Sequence, residues 1–186
     1  MEEKQIEKKV VKEGDYEDVI EIDGHFYLLD KKDKICILPY TISAEGLLDQ
    51  IGVLEDWNFI EEEEVLTLIN AYINTDDPTD LVAANRILFE VTGVNITDAK
   101  EWMYLGAVYS NLTSDSPIKL YAVDITNIKI QEQEEVEAEG KRKKFKIMSS
   151  SSVIRTDEVL FLAAYFRLFN YFYVKSLEKN AKKGGE

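Results

Sequence analysis

The chain has 186 residues, one cysteine and a formal net charge of −14 at pH 7. Apolar residues make up 45% of it, which suffices for one domain with a buried core and excludes wholesale disorder. The acidic balance argues against broad nucleic-acid binding and against an anionic membrane, because both present negative charge to the protein.

The N-terminus and the cysteine content bear on location. The first residues read MEEKQIEKKVVKEGD and show no signal peptide. The longest apolar stretch, Val159 to Val174, is interrupted by Arg167 and Asn170 and is too short to span a bilayer. The single cysteine, Cys36, fits a reducing compartment, and its apolar neighbours predict a buried, inert thiol. We therefore expect a cytoplasmic or virion-associated protein that is not secreted.

The first part of the chain is predicted to form mainly strands. Residues 1–15 are rich in Glu and Lys and are expected to be a flexible lead-in. Two apolar runs, 19–22 and 26–29, flank the turn dipeptide Asp23-Gly24 and predict a hairpin. The next predicted segments are a strand over 35–41, an irregular or extended segment over 46–52, a polar interval around 56–64 and a strand over 65–73.

The second part of the chain contains two predicted helices. The first runs from about Thr79 to Thr92, with Thr79 or Asp80 as its cap and Gly93 at its end. Strands are predicted over 102–109, 118–126 and 145–148, the last preceded by a charged, solvated loop over 131–144. The final helix is expected over about 156–177, with acids at its N-terminus. This order predicts one α/β domain with a mixed sheet over 16–178, followed by a flexible tail over 179–186.

The segment from Ala83 to Thr126 resembles the core of the Nudix hydrolases, particularly the ADP-ribose pyrophosphatase branch. The family signature is Gly, five residues, Glu, seven residues, then Arg-Glu-hydrophobic-x-Glu-Glu-x-Gly-hydrophobic. The positions that match it are Arg86, Leu88, Glu90 and Gly93-Val94, and the features that resemble the following strand and loop are Leu105-Gly106, Tyr109 and Ser114-Asp115. The resemblance covers about residues 20–175 and implies a Nudix-type α/β/α sandwich with a mixed β-sheet.

The departures from the signature fall on its acidic positions. Ile87 and Val91 stand where the family has Glu, Pro78 replaces the upstream Glu, and Tyr72 replaces the opening Gly. Positions 87, 90 and 91 share one helix face. In a working Nudix enzyme that face presents several carboxylates to Mg²⁺, which takes oxygen ligands in octahedral geometry. Only Glu90 remains here, so we predict an ion pair with Arg86 and no metal or other cofactor at this helix.

Three functions are compatible with this pattern. The leading hypothesis is a pseudoenzyme, a Nudix-fold binding or structural module of the kind found in cellular regulators and in tailed phages. An alternative is a divergent Mg²⁺-dependent hydrolase of ADP-ribose or a related nucleoside diphosphate derivative. It would use Glu90 and acids from a charged loop, namely Glu132, Glu134, Glu135, Glu137 and Glu139. The third is a sensor that binds an ADP-ribose-like ligand without cleaving it, and the cleft residues to watch are Arg86, Glu90, Tyr109 and Asp115.

The final helix is apolar on almost every face. One interpretation wedges it between the sheet and the N-terminal segment, and the other gives it a surface for self-association or docking. Helical spacing places residues 161, 165, 168, 169 and 172 on one face, which we expect to point inward. Phe166, Tyr171 and Tyr173 lie off that face. They are the predicted interface with a protein partner or a second copy of the chain.

Overall fold

Strands account for most of the regular structure. In a computed structural model, the described residues are 8–58, 62–109, 116–130, 136–138, 141–156 and 158–183. The strands are β1 Lys9–Lys12, β2 Glu17–Ile22, β3 His25–Asp30, β4 Lys34–Ile42, β5 Leu48–Asn58, β6 Glu63–Thr67, β7 Ile69–Tyr72, β8 Trp102–Val108, β9 Ile118–Asp124, β10 Val136–Ala138 and β11 Lys141–Ser149. The helices are α1 Asp80–Thr92 and α2 Val159–Lys183, with short 3-10 helices at Ala99–Glu101 and Ser150–Arg155.

These strands form two sheets. The smaller one is antiparallel with the order β1-β2-β3, and the larger one has the order β10-β11-β5-β4-β9-β8. Two further strands join the larger sheet, because β6 pairs with β5 and β7 pairs with β4. Strand β4 runs parallel to β9 and antiparallel to β5, so the predicted α/β class with a mixed sheet is confirmed.

The two helices lie on opposite faces of the larger sheet because β4 alternates its side chains between them. Cys36 and Leu38 belong to a core that includes Phe161 and Leu168 of α2. Ile35 and Ile37, on the other face, belong to a core that includes side chains of α1. The result is an α/β/α sandwich. Cys36 is 1% exposed, as predicted, and burial raises the pKa of its thiol to about 12.

Local turn and cap signals hold at the predicted places. Asp23 and Gly24 both have positive φ, 51° and 80°, which the two-residue turn of the β2–β3 hairpin requires. Thr79 caps α1, and its hydroxyl accepts a hydrogen bond from the Val82 amide at 3.3 Å. Gly93 ends the helix in the left-handed conformation, with φ 71°.

Several predicted segments differ from the structure. The segment 46–52, expected to be irregular or extended, is extended from Leu48 onward, but the same strand, β5, continues to Asn58 into the predicted polar interval 56–64 because β11 and β6 pair with it there. The single strand predicted over 65–73 is divided at Leu68, so that β6 pairs with β5 and β7 with β4. Strand β1 lies inside the predicted lead-in 1–15, and α2 extends to Lys183, past residue 178.

Helix α2 is anchored to β8 by an arginine. The β8–β9 register shifts between Tyr104 and Gly106, and Gly106 has φ 96°. Arg167 of α2 reaches this irregularity and donates to the carbonyl oxygens of Leu105 at 3.0 Å and Ala107 at 3.3 Å. The positive φ favours glycine at position 106, where a Cβ would also lie 2.9 Å from the Arg167 guanidinium and displace it. Across the described ranges, no helix is long and apolar enough to cross a membrane.

Candidate functional site

Arg86 of α1 is the centre of a hydrogen-bond network that joins this helix to the loop before it. Its guanidinium donates to both carboxylate oxygens of Asp77, through Nε at 3.1 Å and Nη2 at 2.7 Å. It also donates to Glu90 Oε1 at 3.0 Å and to the Tyr72 carbonyl at 3.3 Å. Asp77 accepts a further hydrogen bond from the Asn74 amide at 2.8 Å. The predicted Arg86–Glu90 ion pair is therefore present, and the same arginine joins β7 and the loop to α1.

This network sets the charge states of its members. The Arg86 hydrogen bonds hold the pKa of the Asp77 carboxyl below its usual value, and the Asn74 amide acts in the same direction against partial burial. The pKa of Arg86 is raised, chiefly by its hydrogen bonds to Asp77. Both groups are therefore ionised at neutral pH, and Glu90 faces a cation that already belongs to a structural network.

Asp77→Asn should weaken this network in a pH-dependent way. Because the folded-state pKa of Asp77 is depressed, its stabilising contribution is present above the unfolded pKa of about 3.9 and is lost as pH falls through the folded pKa. We expect the variant to lose about 1–2 kcal/mol of unfolding free energy at pH 7. Urea denaturation from pH 7 to pH 2 should show the difference between wild type and variant shrinking below about pH 4. A difference that stays constant down to pH 2 would contradict this account.

The two helix positions at which the family signature has Glu hold apolar side chains that pack in the core. Ile87 is 1% exposed and belongs to the core between α1 and the sheet, together with Ile35 and Val123. Val91 is partly buried against the same core. Ala83 and Ala84, both fully buried, let α1 approach the sheet closely because they have almost no side chain. The apolar residues at positions 87 and 91 therefore hold the helix against the sheet.

The described residues do not fit a Mg²⁺ ion at this helix. Glu90 is the one acidic residue of the signature that remains on α1. Its side chain is largely exposed, and one carboxylate oxygen is paired with Arg86. Within the ranges that the structure describes, no three or more His, Cys, Asp or Glu side chains are arranged to hold a metal ion. The loop acids that the alternative hydrolase would use lie outside the described residues, except Glu137, which is in β10 but whose side chain is not described. The use of these acids by a hydrolase therefore stays a prediction.

Tyr72, at the position of the family's opening glycine, anchors the N-terminal sheet. Its ring stacks on Tyr16 with centroids 4.6 Å apart, and its hydroxyl donates to Glu17 at 3.0 Å. Lys34 lies 5.3 Å from the centre of the same ring. Burial is the main cause that raises the pKa of Tyr72 to about 12. An aromatic side chain thus joins the two sheets where the family signature has no side chain.

A second polar cluster at the start of α1 was not predicted. Lys119 of β9 forms ion pairs with Asp33 at 2.8 Å and with Asp80 at 3.0 Å, and the Tyr121 hydroxyl donates to Asp80 at 3.4 Å. Tyr104 packs its ring against Tyr121 at 5.1 Å. Lys119 and Tyr121 share a face of β9, but only the parallel pairing of β4 with β9 brings them to Asp33. That pairing leaves no local sequence signal.

The other predicted site residues are dispersed. Tyr109 follows β8 at the edge of the sheet with an exposed side chain, and Asp115 lies outside the described residues. On α2, Phe166 and Tyr173 are exposed, whereas Tyr171 is partly buried and packs against the core. The expectation that Phe169 points inward is wrong, because its side chain is 46% exposed. The described N-terminal segment leaves the outer face of α2 uncovered, so the wedge interpretation fails there.

The fold is a Nudix-type sandwich: two helices lie on opposite faces of a mixed sheet, and the first helix carries the residues that match the signature. A crystal structure of an ADP compounds hydrolase is similar, with a TM-score of 0.65 and 12% identity over 91% of this chain and 93% of that chain. The NUDIX domain of Shewanella oneidensis NrtR, solved with ADP ribose, gives 0.53 and 17% over 73% and 86%. A Listeria monocytogenes NUDIX hydrolase gives 0.55 and 14% over 78% and 97%.

The fold of this chain is therefore that of the Nudix hydrolases. At these identities the likeness concerns the fold, so the site must be argued from its own residues. No protein-family model matches the chain, and a comparison with curated proteins gives no match.

Proposed function

We propose that this chain is a Nudix-fold module that acts by binding or assembly and does not hydrolyse a nucleotide. The observation that carries the proposal is the burial of Ile87. A carboxylate at that position would help to hold the metal in the family signature, whereas the isoleucine is part of the core beneath α1. The remaining carboxylate, Glu90, neutralises Arg86. Such a role suits the cytoplasmic or virion-associated setting expected from the sequence.

The loop before α1 supports the same proposal. A diphosphate needs metal ions or free cations to neutralise its charge during attack by water. Arg86 of α1 is a cation that faces this loop, and the carboxylates of Asp77 and Glu90 already satisfy three of its hydrogen bonds. An incoming diphosphate would have to displace those carboxylates and leave them unpaired. The network therefore favours a closed structural role over substrate binding.

Incubation with ADP-ribose and Mg²⁺ tests the proposal, since a similar structure was solved with ADP ribose. We expect no Mg²⁺-dependent release of AMP by liquid chromatography, in wild type, in Glu90→Gln or in Glu178→Gln, an exposed glutamate on α2. Calorimetry with ADP-ribose that shows binding without AMP release would support a non-hydrolytic ligand sensor. Release that is lost in Glu90→Gln and kept in Glu178→Gln would overturn the proposal and establish a hydrolase.

A further inference from the structure

One side of α2 presents a largely apolar surface, interrupted by the exposed side chain of Asn170. Its side chains are between 43% and 69% exposed and are Val159, Phe166, Phe169, Tyr173, Val174 and Leu177. These residues, called the α2 stripe below, lie on one side because a helix returns to the same face every three or four residues. The opposite side carries Phe161, Ala164, Leu168 and Phe172 into the core. The helix is therefore apolar on two faces, and the sheet covers only one of them.

The aromatic rings of the stripe are already ordered. Phe169 stacks on Tyr173 with centroids 6.3 Å apart and planes 8° from parallel, and it stacks on Tyr165 at 6.1 Å. Tyr165 is buried, so this row of rings is fixed to the core at one end. Side chains held in this way lose less conformational entropy when another surface packs on them. The stripe has the pre-organisation expected of an interface.

The C-terminal part of α2 extends beyond the sheet. Tyr173, Lys175, Leu177 and Lys179 are all exposed although they point in different directions around the helix. An unsupported helix end is marginal in water, yet α2 continues to Lys183 and carries apolar residues along this part. A second helix lying along the stripe would cover those residues and support the projecting turns.

We propose that the α2 stripe packs against α2 of a second copy of this chain, with the two helices antiparallel. The inference rests on the proposed assembly role and names its partner. A two-fold axis near residue 168 would place Val159 of one copy beside Leu177 of the other, and the central rings against each other. Aliphatic residues then meet at both ends and aromatic residues in the middle, which is the self-complementarity that an isologous interface needs.

Charge favours a second copy over an acidic partner helix. The stripe itself is uncharged, so a pair of copies does not bring like charges of the stripe together. Two nearby cations do not serve the stripe: Arg167 donates to the carbonyl oxygens of Leu105 and Ala107, and Lys175 lies on the other side of the helix, 4.4 Å from the centre of the Tyr171 ring. An acidic helix packed on the stripe would therefore gain little from either cation. Antiparallel helices also oppose their dipoles.

The size of the stripe suits a small dimer. An aromatic or large aliphatic side chain that is half exposed offers roughly 100 Å² for burial. Six such residues give about 600 Å² per copy, or about 1,200 Å² for the pair, which is the lower limit for a specific interface. The area of about 600 Å² per copy is at the upper end of the largest apolar patch on a typical monomer, and such patches are often functional.

Sedimentation velocity of the full chain tests the self-association. We expect wild type at high micromolar concentration to sediment at twice the chain mass of 21.4 kDa. Phe166→Ser with Tyr173→Ser should raise the dimer dissociation constant at least about 30-fold, the effect of losing one strong interface residue. Phe26→Ser is the matched control, because Phe26 of β3 is 61% exposed and Phe166 is 60% exposed. A monomeric wild type, or an equal loss in the control, would overturn the proposal.

A single spin label tests the orientation of the helices. Glu178→Cys gives an exposed thiol outside the stripe, and the buried Cys36 should not react. In the antiparallel dimer the two labels should be about 30 Å apart, since a helix rises 1.5 Å per residue from the centre. A separation close to the spacing of packed helices, about 10 Å, would refute the antiparallel arrangement. These measurements need no nucleotide, so a monomeric result leaves the absence of turnover standing, and turnover by a dimer contradicts only the proposed function.

Discussion

Ile87→Glu is expected to lower the free energy of unfolding by more than about 4 kcal/mol without creating a Mg²⁺ site. The side chain at this position is 1% exposed and lies in the core between α1 and the sheet. The substitution removes a well-packed aliphatic group and buries a carboxylate without a partner, and each change alone costs about 2 kcal/mol or more. Denaturation in urea measures the loss, and calorimetry with Mg²⁺ tests for the metal site.

Two other positions on α1 separate burial from a general effect of charge. Val91 is half-buried, so Val91→Glu should cost less, about 1–2 kcal/mol. Phe89 is 53% exposed on the opposite side of the helix, and Phe89→Glu should change stability by no more than about 0.5 kcal/mol. If Ile87→Glu and Val91→Glu together left the melting temperature unchanged and produced Mg²⁺ binding, this face would be an open, hydrated cleft and our account would be wrong.

The parts of the fold that depend on neighbours in sequence were predictable. Helix α1 begins at a capping threonine and ends at a left-handed glycine, and both signals act within one turn. The pair of Arg86 and Glu90 follows from a spacing of four residues on a helix. The β2–β3 hairpin follows from Asp23-Gly24. In each case the cause lies within five residues.

The parts that depend on strand pairing were not predictable in the same way. Strand β5 continues through polar residues because β11 and β6 pair with its edges, and an ion pair between Lys146 and Glu55 lies across the β11 side. The cluster around Lys119 needs β4 and β9 to be parallel neighbours, although more than 80 residues separate Asp33 from Lys119. The role of Asp77 as the second partner of Arg86 depends on the path of the loop before α1. Such contacts have no fixed spacing in sequence.

Helices α1 and α2 each carry a surface that bears on the proposed function. The face of α1 that would present carboxylates is closed by packing at Ile87 and by the ion pairs of Arg86. On the other side of the sheet, the α2 stripe is exposed, and the described part of one copy does not cover it. These two features, the lost charge on α1 and the exposed apolar area on α2, are the basis of the proposed binding or assembly role.

Phe161→Ala and Phe169→Ala should have very different effects on stability. Phe161 is fully buried against the sheet, and its truncation should cost about 3–5 kcal/mol. Phe169 was expected from helical spacing to lie on the same inward face, but it is 46% exposed at the boundary between the buried and exposed sides, where its ring stacks on Tyr165 and Tyr173. Its truncation should cost less than about 1 kcal/mol in the monomer.

The two substitutions should be compared in the Phe166→Ser, Tyr173→Ser background. Dimer formation would otherwise add a concentration-dependent stabilisation that Phe169→Ala also removes. In that background, urea denaturation at two protein concentrations should give the same midpoint for each variant, which establishes that monomers are being measured. Equal losses of several kcal/mol at both positions would show that Phe169 is a core residue in solution. The α2 stripe would then be smaller than the interface requires, because the ring of Phe169 would not belong to it.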